Sequence, residues 1–263
     1  PLHETDAYRD VDADSGRFGV VLFSHGLGGY RYQTSFLMTH LASWGFVVAA
    51  PEHPERGLKI ILEGGQLGDD APQTLLATKE LLRELDTEAG HPLEGRIDVE
   101  RLAVSGHSQG GSAVTVVTDD ETAGVDAWVG LATAIAPNTG APDGLMVGGT
   151  LDGFATPDTM QTQWDQIADS EVQRLIGIQD AGHMAFTDLC VIGRERGGAA
   201  EGRAAQETPA RNPIGVVSHC ILPGCVLFGP DSNLLSGNPR PATAGRNSFA
   251  TMVIRIIAFG RRY

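Results

Sequence analysis

Residues 102–110 read Leu-Ala-Val-Ser-Gly-His-Ser-Gln-Gly, and this stretch decides the fold. Leu102 to Ser105 is a short apolar run with strand character. Gly106-His107-Ser108-Gln109-Gly110 fits G-x-S-x-G, and a helix is expected from about Gly110. The order strand, tight turn, helix is what gives the motif chemical meaning. A serine on such a turn adopts a strained backbone, and side chains in place of the glycines would clash with the adjacent strand and helix. The turn presents the hydroxyl outward, near the positive end of a helix dipole. Ser108 is therefore the expected nucleophile. The bland alternative is an ordinary serine in a Gly-rich turn.

Working outward, strands are expected at Gly19 to Ser24, Phe46 to Ala50 (stopped by Pro51), Ala127 to Leu131, Leu145 to Gly148 and Arg174 to Ile178. Helices are expected at Gln33 to Ser43, Gln73 to Glu88, Thr159 to Ala168, and at the apolar end segment Ser248 to Arg261. The clearest is Gln73 to Glu88, where Leu75, Leu76, Lys79, Leu82, Arg83 and Leu85 recur at helical spacing. Pro72 suits its first turn and Gly90 closes it. Leu58 to Asp70 is Gly-rich and reads either way. Strands alternating with helices predict an α/β protein, with a mostly parallel central sheet covered by helices on both faces. A chain of 263 residues fits a single domain over 1–263. From Gly193 to Pro213 the pattern dissolves into Gly, Ala, Arg and Glu, which predicts a surface insertion, extending to about residue 225.

With 41% hydrophobic and 20% charged residues, wholesale disorder is excluded. The 33 Asp and Glu against 19 Lys and Arg give a net charge of −14, which repels phosphate backbones and argues against a nucleic-acid partner. No apolar run approaches the ~20 residues that span a bilayer. The candidate Met252 to Phe259 is interrupted by Arg255. The chain begins at Pro1 rather than Met, so a trimmed or processed segment before it is expected, and this end neither shows nor excludes export. Cys190, Cys220 and Cys225 form no C-x-x-C pair and no zinc-like spacing with histidine, and their plain reading is three reduced thiols. No metal or cofactor is expected, and the oligomeric state is left open.

A serine hydroxyl needs a base. Of the histidines, His183 follows the last clear strand in Ala181-Gly182-His183-Met184, on a loop at the C-terminal edge of the expected sheet. His107 adjoins the serine and is expected to point away into the turn. His25 suits a structural role in the turn after the first strand, and His219 is the main rival. The imidazole needs an orienting carboxylate. Asp152, after the strand Leu145 to Gly148, gives the chain order Ser108, Asp152, His183. Asp126 precedes its strand and belongs at the opposite edge; Asp158 and Asp180 are less well placed. Asp152 could instead cap its own turn. The backbone N–H groups of Gln109 and of Leu27, in His25-Gly26-Leu27-Gly28-Gly29, are the expected oxyanion hole. Tyr30 or Tyr32, with Gly28 and Phe154, are candidates for the substrate cleft.

Together these motifs resemble the α/β-hydrolase superfamily, from Gly19 to His183 and the final helix. Ser-His-Gly-Leu-Gly-Gly-Tyr-Arg (24–31) and Leu-Ala-Ser-Trp-Gly-Phe-Val-Val-Ala-Ala-Pro-Glu-His (41–53) resemble the platelet-activating-factor acetylhydrolase and dienelactone-hydrolase-like branch, which is also similar to cutinase-like polyester hydrolases. In the acetylhydrolase-like enzymes the residues matching Leu27 and Gln109 form the oxyanion hole. Dienelactone hydrolases proper use cysteine where Ser108 stands, which weighs against that activity. The two strands that usually precede the oxyanion strand are not visible in residues 1–18. The stretch Gly193 to Cys225 is longer than a compact cutinase-like enzyme needs, and is expected to be a lid or a tolerated insertion. Cys190 and either Cys220 or Cys225 flank it. A disulfide closing this loop would restrain it and would fit an exported enzyme, the location favoured here over the cytoplasm.

The expectation is a metal-independent serine esterase with a Ser108-His183-Asp152 triad, acting on short to medium acyl esters. A polymeric ester or a lipid acetyl ester is the alternative substrate. Outside this class stand an amidase or peptidase with the same triad, and a catalytically silent binding protein.

Overall fold

The computed structural model describes residues 13–138, 141–167 and 173–189, and the backbone of 227–228. Six parallel strands form its sheet: β1 (Phe18–Ser24), β2 (Phe46–Ala49), β3 (Ile97–His107), β4 (Val125–Leu131), β5 (Asp143–Gly149) and β6 (Gln173–Ile178). A two-residue strand, β7 (Leu227–Phe228), pairs antiparallel with β6. The spatial order is β2-β1-β3-β4-β5-β6-β7. Between the strands run helices α1 (Ser35–Ser43), α2 (Leu58–Glu63), α3 (Ala71–Thr87), α4 (Gln109–Asp119) and α5 (Pro157–Asp165).

The apolar residues of β1 alternate between the two faces of the sheet, as the two-residue period of a strand requires. Val20 and Leu22 pack with Leu75 and Leu82 of α3, Val114 and Val117 of α4 and Met160 of α5. Val21 and Phe23 face the other way, against Met38 and Ala42 of α1 and Phe186. Helices thus cover both faces of a parallel sheet, and this is the α/β-hydrolase fold. Lys79 stands on the apolar face of α3, buried, because its Nζ donates to the carbonyl of Ala123 at 2.7 Å.

The expected elements that fall within the described residues are present, with shifted ends. β3 starts five residues before Leu102, because the polar run Asp98 to Arg101 hides its first half. The ambiguous stretch 58–70 holds one short helix, α2, bounded by Gly57 and Gly64. The expected insertion, all three cysteines, His219 and the helix Ser248 to Arg261 lie outside the described residues. So do residues 1–12, where early strands were sought. Among the described residues no helix is long and apolar enough to cross a membrane.

Parallel strands bring the segments that follow β1, β3, β5 and β6 to one edge, where open α/β sheets form their clefts. Because α3 closes one face, Leu82→Ala lowers the free energy of unfolding by about 2–5 kcal/mol. Leu62→Ala, on exposed α2, changes it by less than ~0.5 kcal/mol. Urea denaturation of both variants measures the difference.

Candidate active site

The turn after β3 shows why its glycines are glycines. Ser108 has φ 55° and ψ −122°, a conformation that L residues adopt only under constraint. A Cβ on Gly106 would lie 2.3 Å from the carbonyl oxygen of Gly110, and one on Gly110 would lie 2.0 Å from that of Ser24. Both distances are far inside contact, so the backbone closes only with glycine at each place.

Ser108 Oγ is 2.8 Å from His183 Nε2. His183 Nδ1 is 2.9 Å from Asp152 Oδ2. With the proton on Nδ1, the imidazole donates to the carboxylate and accepts from the hydroxyl. Asp152 is buried, and its other oxygen accepts from the backbone N–H of Phe154 (2.8 Å) and Ala155 (2.9 Å). It therefore caps its own turn and pairs with the histidine at once. Asp126 sits at the opposite edge, accepting from the N–H of Leu102. Asp158 is in the first turn of α5, and Asp180 is exposed beyond β6 with φ 59°.

The two expected oxyanion donors flank the serine. Gly26 lies against it: a Cβ there would be 3.1 Å from Ser108 Cβ. The carbonyl of the Gly26–Leu27 peptide accepts from His25 Nδ1 (2.9 Å) and from the N–H of Gly29 (3.1 Å). A trans peptide then points the Leu27 N–H the opposite way. Gln109 opens α4, where the first N–H groups have no helical acceptor. Among the described residues neither N–H makes a hydrogen bond.

The cavity beside the serine has a volume of about 210 Å³ and is lined by Ser108, Gln109, Thr133, Ile135, Phe154 and His183. The Phe154 ring lies 5.0 Å from that of His183. Tyr30 lines a separate and larger hollow of about 950 Å³ between α2 and α3. Gly28 faces Ile61 of α2 and Tyr32 is exposed, and neither lines the cavity at Ser108. Among the described residues no group of three or more His, Cys, Asp or Glu could hold a metal.

His107 does not point away from the site. Its Nε2–H donates to the carbonyl of His183 at 3.0 Å, and its Nδ1 accepts from Gln33 Nε2 at 2.8 Å. Burial, with His183 adding to it, pushes its pKa down to about 4, so the ring is neutral and fixed in that tautomer. Asp188 completes the anchorage. Its carboxylate accepts from Ser35 N (2.7 Å), Ser35 Oγ (2.5 Å) and Phe36 N (3.4 Å) at the start of α1, and its own N–H donates to the carbonyl of Gln33 at 2.8 Å. Behind the loop 25–29, His53 Nε2 meets Ser24 Oγ at 2.9 Å, and His25 Nε2 accepts from the His53 N–H at 3.0 Å. Burial, then the charges of His25 and Arg56, push the His53 pKa down to about 2. Gln33, Arg56 and Asp188 belong to no motif, and His53 ends the stretch 41–53 without a role assigned to it there. The one sequence cue is that Asp188 follows His183 by a single turn.

The sequence is similar to known proteins over its first half. A family model described as Chlorophyllase matches residues 11–138. Chlorophyllase-2 of Arabidopsis thaliana is 30% identical over 106 residues, which is 40% of this chain and 30% of that protein. The chain thus matches less than a third of the length of that relative. The family match includes the loop 25–29 and Ser108 and ends before Asp152 and His183.

Two outcomes follow from the anchorage. Asp188→Ala removes the cap of α1 and lowers the free energy of unfolding by about 1–2 kcal/mol, read from urea midpoints. His107 is neutral when folded, with a pKa of about 4 against 6.5 when exposed. The unfolded chain therefore binds more protons in this interval. The stability contributed by His107 is complete above about pH 6.5 and is lost as the pH falls towards 4. Urea midpoints between pH 7.5 and 4.5 show that decline, and His107→Gln makes it shallower.

Proposed function

We propose that this protein is a serine hydrolase of carboxylic esters. The observation that carries the reading is the unbroken relay from Ser108 Oγ through His183 to Asp152, mounted on a strained turn. The similarity to chlorophyllases, a family of ester hydrolases, supports the reaction class.

In the proposed reaction, Ser108 Oγ bonds to the ester carbonyl carbon while its proton passes to His183 Nε2. Asp152 holds the imidazole in orientation and stabilises its charge. The carbonyl oxygen becomes an oxyanion held by the N–H groups of Leu27 and Gln109. The intermediate collapses, the C–O bond to the alcohol breaks, and the alcohol leaves with the proton of His183. Water then attacks the acyl-serine, giving its proton to His183. Collapse of the second intermediate releases the acid and returns the proton to Ser108.

The cleft favours apolar esters. Phe154 and Ile135 leave much of their apolar surface exposed around a small cavity. This supports short to medium acyl groups. The names of the matched family and relative place chlorophyll among the substrates to be tried, beside the polyester and lipid acetyl esters that the motifs at 24–31 and 41–53 suggest.

Wild type is expected to hydrolyse p-nitrophenyl esters, with its optimum at the shorter chains. Ser108→Ala lowers kcat by at least about 10³-fold and Asp152→Asn by about 10⁴-fold. Matched amides, chlorophyll and a soluble polyester complete the panel. Undiminished activity in Ser108→Ala would sink the reading. Amide turnover above ester turnover would move it to the amidases, and no labelling by a fluorophosphonate would favour a silent binding protein.

A further inference from the structure

Arg56 is a wholly buried cation that the reaction above does not use. It stands in the loop between β2 and α2, away from any motif. Its Nη2 donates to Ser24 Oγ at 2.7 Å and to the carbonyl of His25 at 3.2 Å. Its Nη1 donates to the carbonyl of Gln109 at 3.3 Å and to Asp69 Oδ1 at 3.0 Å. Its backbone carbonyl accepts from the N–H of Gly28 at 2.8 Å. One residue therefore grips the 25–28 loop on both sides of Leu27, and also grips the residue that follows the nucleophile.

We propose that Arg56 is a positioning residue for ester hydrolysis, its planar guanidinium setting the separation of the Leu27 and Gln109 N–H groups so that both reach one oxyanion. The inference rests on the esterase reading of Ser108. The loop and the start of α4 both present a carbonyl to the guanidinium, that of His25 and that of Gln109. A guanidinium supplies donors in a fixed plane and can bridge two chain segments at once. An ammonium on a flexible stem is a single point and cannot hold both carbonyls at a set distance. The cost of burying the charge is offset by four acceptors, one of them the carboxylate of Asp69, which reaches solvent. An oxyanion hole works only when its donors stand about 2.7–3.1 Å from the oxyanion, so a small spreading of the two segments weakens the transition state more than the ground state.

The test uses Arg56→Lys and Arg56→Met beside wild type and Ser108→Ala, at a temperature where circular dichroism shows each variant folded. Arg56→Met is expected to lower kcat about 10²-fold and Arg56→Lys about 10-fold, with KM changed by less than about three-fold. Affinity for a trifluoromethyl ketone, which forms an oxyanion on Ser108, weakens in parallel with kcat/KM. A role in stability alone would lower the melting temperature and leave both readouts unchanged. If Ser108→Ala is inactive while the folded Arg56 variants keep kcat within about three-fold of wild type, or raise KM alone, the proposal is overturned and the esterase reading stands. If Ser108→Ala keeps its activity, the esterase reading falls and takes this inference with it. Should neither Arg56 variant fold, Ser24→Ala removes the shortest guanidinium contact and decides the matter: the expected result is kcat lowered about five-fold at constant KM, and unchanged kcat overturns the proposal.

Discussion

A methyl group on Gly110 would sit 2.0 Å from the carbonyl oxygen of Ser24, and the geometry of the site begins from that contact. It is a contact between two backbones, so no side-chain repacking can relieve it. It follows from the pairing of β1 with β3, which sets Ser24 beside Gly106 at the same height in the sheet. Once the two strands are in register, α4 must start directly over the end of β1. The loop after β1 is then pressed against Ser108, and the donors proposed at Leu27 and Gln109 become neighbours. The 81 residues between them in sequence have no say in the matter.

The serine side of the site is held by sterics, and the histidine side by hydrogen bonds. His183 lies on a short turn rather than in a strand or a long helix. Its ring is held by Asp152, its carbonyl by neutral His107, and the end of its turn by Asp188 at the start of α1. The two modes suit the tasks proposed for Ser108 and His183. A nucleophile needs a fixed backbone, whereas a base that accepts and returns a proton needs a fixed ring plane. Hydrogen bonds to atoms on opposite sides of the turn supply this.

The parts of this arrangement legible in the sequence are those with a local pattern. G-x-S-x-G between a strand and a helix locates the turn, and apolar runs of four or five residues locate β1, β2, β4, β5 and β6. The edge of the sheet at which each loop emerges then brings Asp152 and His183 to Ser108 and sends Asp126 away. What escapes is non-local. Arg56 acts on carbonyls of residues 25 and 109, Gln33 on the ring of His107, and Asp188 on amides 153 residues away, and none of these leaves a spacing to read. His107 was expected to face the interior of its turn, because its neighbour Ser108 faces out. The turn is tight enough that the ring reaches under the base instead. The lower half of β3 escapes for a different reason: Asp98 pairs with Gly19 of β1, residues 99–101 fall where the register between the two strands shifts, and Asp98, Glu100 and Arg101 put charged side chains into the pattern.

Helix α1 has nine residues, and the side chain at its own N-cap, Thr34, makes no capping bond. Its cap is Asp188, which enters the sequence only after β6. A helix this short is marginal in water without tertiary support. During folding or synthesis, α1 can therefore consolidate only after the sheet has been laid down as far as β6 and the turn carrying His183 has docked. Closing a loop of that length makes the step slow and late. The same event that completes the helix also seats His183, so under the proposed reaction the site is completed together with the last stage of folding.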